Sequence, residues 1–162
     1  DRLFVVEVMG RDAGYIALHS GIATGAENIL IPESKTDMIA LVANLTEKEK
    51  RRKLVNLIVV AEGDEFGGGN QVGDYLKTKL PNADIRVCIL GHIQRGGSPS
   101  CADRVLGSRM GIAAVESLLA GKREVMVGII NNEVVLTSFQ KAVKHNQEID
   151  LNIMRMVEIL SA

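Results

Sequence analysis

Tryptophan is absent from this chain of 162 residues, and tyrosine and phenylalanine number only two and three. So few aromatic rings are unfavourable for base stacking and for a large aromatic interface. An excess of charge is missing too: 19 basic and 20 acidic side chains leave a formal net charge of −1. Without a broad basic field a nucleic-acid partner is not expected, and any anion site has to come from a few local arginines and backbone amides. The two cysteines, Cys88 and Cys101, fit neither a zinc spacing nor a disulfide framework. Both stand in apolar surroundings and are expected to be small buried thiols. No apolar run is long enough to cross a bilayer and no signal-peptide pattern is visible, so no membrane partner and a reducing, cytoplasmic location are expected.

What remains is an ordinary globular balance, 46% hydrophobic and 24% charged, at a length that suits one domain with its own core. The chain opens directly in an apolar stretch, Leu3-Phe4-Val5-Val6, with no polar lead-in. We expect it to be cut from something longer.

Periodicity divides the chain into alternating elements. Leu3 to Met9 reads as a strand buried on both faces. Ala13 to Thr24 has helical spacing and ends at Gly25, where a C-cap glycine belongs. A short strand over Asn28 to Ile31 follows. Next comes a helix over Thr36 to Lys53, entered by Ser34 or Thr36 near Asp37 and left through a basic turn that suits the helix dipole. Leu54 to Ala61 is a third strand, Asn70 to Leu80 a short helix, and Ile85 to Leu90 a fourth strand. Ser98-Pro99 is expected to open a long helix, with serine as N-cap and proline in the first turn. Its apolar stripe runs through Ala102, Val105, Leu106, Met110, Ala113, Ala114 and Leu118, and Gly121 closes it. Strands over Val125 to Ile130 and Glu133 to Leu136 are joined by a turn at Asn131-Asn132. Helical stretches near Ser138 to Lys144 and Asp150 to Leu160 finish the chain. Strands alternating with helices predict an α/β, Rossmann-like three-layer fold with a mainly parallel sheet flanked by helices. Ligands in such folds bind beyond the carboxyl ends of the strands.

Three strand ends carry polar clusters. The first is Met9-Gly10-Arg11-Asp12-Ala13-Gly14. Its glycines let a ligand approach the backbone, and Arg11 stands just before a helix N-terminus, which favours an anion. A surface arginine at a strand-helix turn is the plainer alternative. The second is Glu62-Gly63-Asp64-Glu65, where one acid can accept hydrogen bonds from sugar hydroxyls; a solvated loop or a metal site are the other readings. The third is Gly91-His92-Ile93-Gln94-Arg95-Gly96-Gly97-Ser98-Pro99, preceded by Arg86. Glycines, an arginine and a histidine before a capped helix form a phosphate cradle, or a tight turn with an incidental His and Arg. The segment lacks the Gly-Lys-Ser/Thr of a Walker loop, and its glycine spacing is wrong for a dinucleotide fingerprint. If the three ends converge, arginines for phosphate and an acid for hydroxyls suit a sugar phosphate.

Val5-Val6-Glu7-Val8-Met9-Gly10-Arg11, the Gly91 to Pro99 run, and Asp103-Arg104 with Ser108-Arg109-Met110-Gly111 strongly resemble the ATP-dependent 6-phosphofructokinase family. The resemblance runs in register over nearly the whole chain and matches the C-terminal half of a bacterial-type subunit. It implies a glycolytic kinase that phosphorylates the 1-hydroxyl of fructose 6-phosphate with MgATP. It implies that Met9, Gly10 and Arg11 line the sugar-phosphate pocket, with Arg11 also near the transferred phosphoryl. Glu62 would bind sugar hydroxyls, and His92 and Arg95 the sugar phosphate. Arg2 and Arg86 would reach across a subunit interface to a neighbour's 6-phosphate. A homotetramer is implied, with substrate affinity tied to quaternary structure.

Gly25, Glu27, Arg51 and Lys53 resemble part of the family's effector pocket for ADP or phosphoenolpyruvate. Glu27 is the candidate metal ligand there, whereas no metal is expected at the sugar site. The bottom-up alternative for Arg51-Arg52-Lys53 is a solvated basic helix end. Val55 stands where some allosteric members have a polar residue, so effector control is open.

The nucleotide loops, the Mg2+-ATP site and the catalytic base of the family lie before Asp1 by this comparison. Three segments are therefore expected. Residues 1–95 form a sugar-phosphate and effector domain, 96–137 pack with the nucleotide-binding domain, and 138–162 return as helices to the first. The isolated chain is expected to be inactive and to self-associate through its uncovered apolar faces, or to close its sheet differently. A pyrophosphate-dependent relative and a non-catalytic module binding nucleotides or phosphometabolites are the rival functions.

Overall fold

A run of β-branched and apolar residues, Arg2–Val8, forms β1, and in the computed structural model it lies inside a four-stranded sheet ordered β2-β3-β1-β4. The structure describes residues 2–50, 55–143 and 149–160. The neighbours of β1 are β3 (Val55–Ala61) and β4 (Asp84–Ile89), both parallel to it, and β2 (Asn28–Leu30) is parallel to β3. Alternate residues of β1 serve two cores, as a strand covered on both faces requires.

Leu3 and Val5 join Ile58 and Val60 of β3 beneath Leu41 and Leu45 of α2 (Met38–Lys50) and Val72 and Leu76 of α3 (Gly68–Lys79). On the other face, Val8, Val59 and Ala61 pack with Ala17 and Leu18 of α1 (Tyr15–Thr24) and with Ile153 and Val157 of α6 (Leu151–Leu160). Each fully buried leucine or valine in these layers contributes about 1.5–3 kcal/mol. The expected α/β three-layer arrangement with a parallel sheet is what these residues form.

The chain separates into two compact units, Asp1–Gly96 with Ile149–Ala162, and Gly97–Glu148. The second unit consists of α4 (Cys101–Leu119), an antiparallel hairpin of β5 (Val125–Ile130) and β6 (Glu133–Ser138), and the short α5 (Phe139–Ala142). Asn131 and Asn132 both have positive φ, 49° and 66°, as a two-residue turn matched to strand twist needs. The Arg109 guanidinium holds that turn, donating to Asn132 Oδ1 at 2.8 Å and to its carbonyl at 2.6 Å.

Several expectations need correction. The long helix is not opened by Ser98. Ser100 is its N-cap, its hydroxyl accepting from Asp103 N–H while the Asp103 carboxylate takes Ser100 N–H at 2.8 Å. That reciprocal capping box outcompetes a lone Ser-Pro pair two residues earlier. Helix α2 is capped by Asp37, which accepts from the N–H groups of Ile39 and Ala40 at 3.0 Å. Neither Ser34 nor Thr36 does so, and the Thr36 hydroxyl instead donates to Asp64 at 2.7 Å. Cys88 and Cys101 are exposed, not buried. Cys88 sits on the edge strand, where Ile85 and Val87 take the inward positions, and Cys101 opens a helix that buries no residue. The C-cap of α1 is as expected, with Gly25 left-handed at φ 68°.

Candidate functional site

The carboxyl ends of β3, β1 and β4 lie side by side, because the three strands are parallel neighbours. In a parallel ladder the central strand bonds alternately to one neighbour and the other. Glu62 N–H donates to the Val8 carbonyl at 2.9 Å from the β3 side, and Leu90 N–H to the Glu7 carbonyl at 3.1 Å from the β4 side. Beyond these bonds the ladders stop, and side chains take over. Glu62 Oε1 accepts from Gly10 N–H at 3.2 Å and from Arg11 N–H at 2.6 Å. Gln94 Oε1 accepts from Met9 N–H at 2.9 Å. Three successive amides at the end of β1 are thus held from both sides.

The grip fixes an unusual backbone. Arg11 has φ 54°, a left-handed conformation that costs a non-glycine residue about 1–2 kcal/mol. Strain of this kind persists where surrounding structure over-determines it, and it concentrates at functional sites. Gly63 is required beside it, since a Cβ there would stand 2.0 Å from the Arg11 carbonyl oxygen. The Glu62 carboxyl is held below its usual range. Its hydrogen bond from Arg11 N–H is the main cause and the bond from Gly10 N–H the next; desolvation opposes them, and the weaker charges of Arg95 and Arg11 pull the same way as the hydrogen bonds. Glu62, Arg11, His92 and Arg95 are all exposed, so cations and a carboxylate face outward at one sheet edge.

At the starts of α1 and α3, both in the first unit, one amide is paired with a protein carboxylate. Glu33 accepts from Gly14 N–H, at the start of α1, through both oxygens at 2.8 and 3.0 Å. Glu7 accepts from Gly69 N–H in the first turn of α3 at 2.7 Å. In the second unit, taken by itself, Asp103 closes the start of α4, and its carboxyl is held low by the Ser100 hydroxyl first and by Ser100 N–H second. One N–H at each of these helix starts is therefore already paired within the chain. The exposed side chains of Arg11, His92 and Arg95 are the groups this end of the sheet offers to an anion, the last two carried on a 3-10 turn, Gly91–Arg95.

The acidic run after β3 divides its work. Asp64 is buried and accepts from Thr36 Oγ1 and, at 3.0 Å, from Phe66 N–H, while Glu65 accepts from Thr36 N–H at 3.0 Å. These two acids fasten a loop, and only Glu62 holds the end of β1. Among the described residues no three His, Cys, Asp or Glu side chains gather to hold a metal ion.

The other candidates lie at the opposite end of the sheet, on the order of 20 Å away along a seven-residue strand. Arg2 begins β1 in register with Asp84. The Asp84 carboxylate receives Arg86 Nε at 3.2–3.3 Å and Nη2 at 3.2 Å, with Arg2 Nε 3.8 Å away. Both arginines are exposed. Gly25 and Glu27 are at this end too. Glu27 is buried, and its Oε2 accepts from Leu57 N–H at 2.6 Å. Arg51 and Lys53 lie outside the described residues. Sequence reasoning passed over Glu7 and Gln94 as holders of this architecture. A lone carboxylate inside Val5-Val6-Glu7-Val8 was the available signal for the first. For the second, no signal separates Gln94 from its neighbours in the turn.

A family model described as phosphofructokinase matches residues 1–118. The ATP-dependent 6-phosphofructokinase of Brevibacillus brevis is 45% identical over 161 residues, which are 99% of this chain and 50% of that one. The chain spans about half the length of the curated relatives it matches. Among solved structures, the phosphofructokinase of Saccharomyces cerevisiae superposes with a TM-score of 0.77 at 34% identity, over 88% of this chain and 20% of that one. The pyrophosphate-dependent phosphofructokinase of Marinobacter aquaeolei superposes with a TM-score of 0.80 over 93% of this chain and 42% of that one, at 23% identity, a likeness of fold alone.

Proposed function

The chain belongs to the phosphofructokinase family, and from that premise we propose that it is the fructose 6-phosphate-binding half of an ATP-dependent 6-phosphofructokinase subunit. The observation that carries this is the strained, doubly anchored end of β1, which presents Arg11 beside Glu62 with Arg95 and His92 on the adjoining turn. Phosphoryl transfer needs mainly positioning and charge stabilisation. In this reading Arg95 and His92 bind the sugar phosphate, Glu62 orients sugar hydroxyls, and Arg11 offsets charge developing on the transferred group. Nucleotide rather than pyrophosphate is favoured as donor because curated relatives at 41–47% identity are named ATP-dependent.

The remaining assignments follow the same reading. Arg2 and Arg86, exposed at the far sheet end, serve the sugar site of a neighbouring subunit in a homotetramer. Gly25, Glu27, Arg51 and Lys53 form part of a pocket for ADP or phosphoenolpyruvate. Magnesium, ATP and the catalytic base belong in this reading to the other half of the subunit. Residues 96–137 pack with that half, and the C-terminal helix α6 returns to the first domain. The enzyme works in the cytoplasm; among the described residues no helix is long and apolar enough to cross a membrane.

The test is kinetic, on the intact subunit. Arg11→Ala is expected to lower kcat by roughly 100- to 1000-fold, the scale of losing one charge-stabilising donor. Arg86→Ala should chiefly raise KM for fructose 6-phosphate with kcat retained. If neither variant changes the kinetics, the assignment fails.

A further inference from the structure

Within the Gly91–Arg95 turn, His92, Ile93 and Arg95 are exposed, while Gln94 is half-buried and turns inward. Its Oε1 takes Met9 N–H at 2.9 Å across a separation of 85 residues. The position of that bond is informative. The β1–β4 ladder ends where Leu90 N–H meets the Glu7 carbonyl, and Gly91, at φ 51°, swings the chain into the turn. Met9 N–H is the next donor due to face β4 in the alternation, and the Gln94 side chain stands in for the backbone acceptor that has turned away. On the other side of the same strand end, Glu62 holds Gly10 and Arg11. Gln94 therefore supplies a hydrogen bond that joins the turn carrying His92 and Arg95 to the strand end carrying Arg11.

We propose that Gln94 is a positioning residue that sets the distance between the two cationic parts of the site, the strand end bearing Arg11 and the turn bearing His92 and Arg95. The proposal rests on the sugar-phosphate reading above. A neutral amide suits the task. It satisfies a partly buried N–H, which would be costly to leave unpaired, without adding a second carboxylate beside Glu62 to repel an anionic ligand.

The experiment uses the intact subunit with Gln94→Met, which keeps the length and loses the acceptor, and Gln94→Glu, which keeps the acceptor and adds charge. Amide exchange at Met9 reads the clamp directly. In Gln94→Met it should accelerate, KM for fructose 6-phosphate should rise about tenfold, the scale of one hydrogen bond, and KM for the nucleotide should hold. In Gln94→Glu, Met9 should stay protected although sugar-phosphate binding weakens. A merely structural glutamine would not separate the two variants in this way. If Gln94→Met is too unstable to purify, Gln94→Ala carries the same readouts. Unchanged Met9 exchange overturns the proposal. So does an unchanged sugar-phosphate KM in Gln94→Met while Arg95→Ala raises it. If Arg95→Ala also leaves that KM unchanged, the site reading falls and the positioning role with it.

Discussion

The two units of this chain bury their apolar residues very differently. In the first, α2 and α3 close one sheet face with Leu41, Leu45, Val72 and Leu76, and α1 closes the other with Ala17 and Leu18, all at 5% exposure or less. In the second, α4 runs for 19 residues and buries none. Val105, Leu106, Ile112, Val115, Leu118 and Leu119 are exposed, as are Ile130 and Val134 on the hairpin. A helix that is apolar on several sides belongs in the interior of something larger, and exposed apolar area on this scale marks an interaction surface. The first unit is locally complete, whereas the second has the composition of a core without the cover.

Substitution by alanine should break that comparison if it is wrong, and its effect is the largest expected. Leu76 is fully buried in the first unit and Leu119 is 84% exposed in the second. In the isolated chain, diluted until it is monomeric, Leu76→Ala should cost about 3 kcal/mol through lost burial and a residual cavity. Leu119→Ala should stay within about 0.5 kcal/mol, as exposed substitutions do. Denaturant unfolding of both variants decides it, and equal losses would mean that Leu119 is packed in solution.

Self-association tests the missing cover next. The isolated chain is expected to sediment as a species larger than a monomer, held through the apolar face of α4 and the hairpin. Ile112→Lys with Leu118→Lys should weaken that association about tenfold or more, because a charge at a contact centre removes an apolar anchor. Sedimentation velocity over a concentration series measures it. A monodisperse wild-type monomer would show that these side chains tolerate water and that the contrast between the units has no consequence for assembly.

The same contrast explains what could be read in advance. Local signals were legible: β1 as a strand covered on both faces, the glycine cap at Gly25, the paired asparagines at 131 and 132. Convergence of the three strand ends was also legible, because strand-helix alternation implies a parallel sheet. Cys88 was misjudged because an apolar strand does not reveal that it will lie at a sheet edge with one face outward. Ser98 was misjudged because Ser100, three residues before Asp103, makes a better cap. The carboxylate partners of the helix N-termini were out of reach: Glu7 meets Gly69 across 62 residues and Glu33 meets Gly14 across 19. Only the packed chain shows that those two amides are taken.

Acid pH sharpens the comparison through its smallest expected effect. Glu62 in the first unit and Asp103 in the second both have carboxyls held below their usual values, 4.5 and 3.8, by donors in the folded chain. A depressed folded value means that the charged form is the one the fold stabilises. The contribution is complete above the unfolded value and is lost as pH falls through the lower folded one. For Glu62 the loss therefore develops below about pH 4.5, and for Asp103 it begins lower. Both groups are exposed, so the stability change is small, but the two reach differently. Glu62 ties residues 51 and 52 positions away, whereas Asp103 ties one three positions away. Protonating Glu62 should free the Gly10 and Arg11 amides and relax the left-handed arginine; protonating Asp103 should only fray the first turn of α4. Amide exchange followed from pH 6 toward pH 3 separates them, with Glu62→Gln expected to flatten the response at Arg11 and leave Ser100 unaffected. If protection at Arg11 does not change as the pH falls, Gly63 and the strand ends alone hold the strained backbone, and Glu62 is free to serve the ligand.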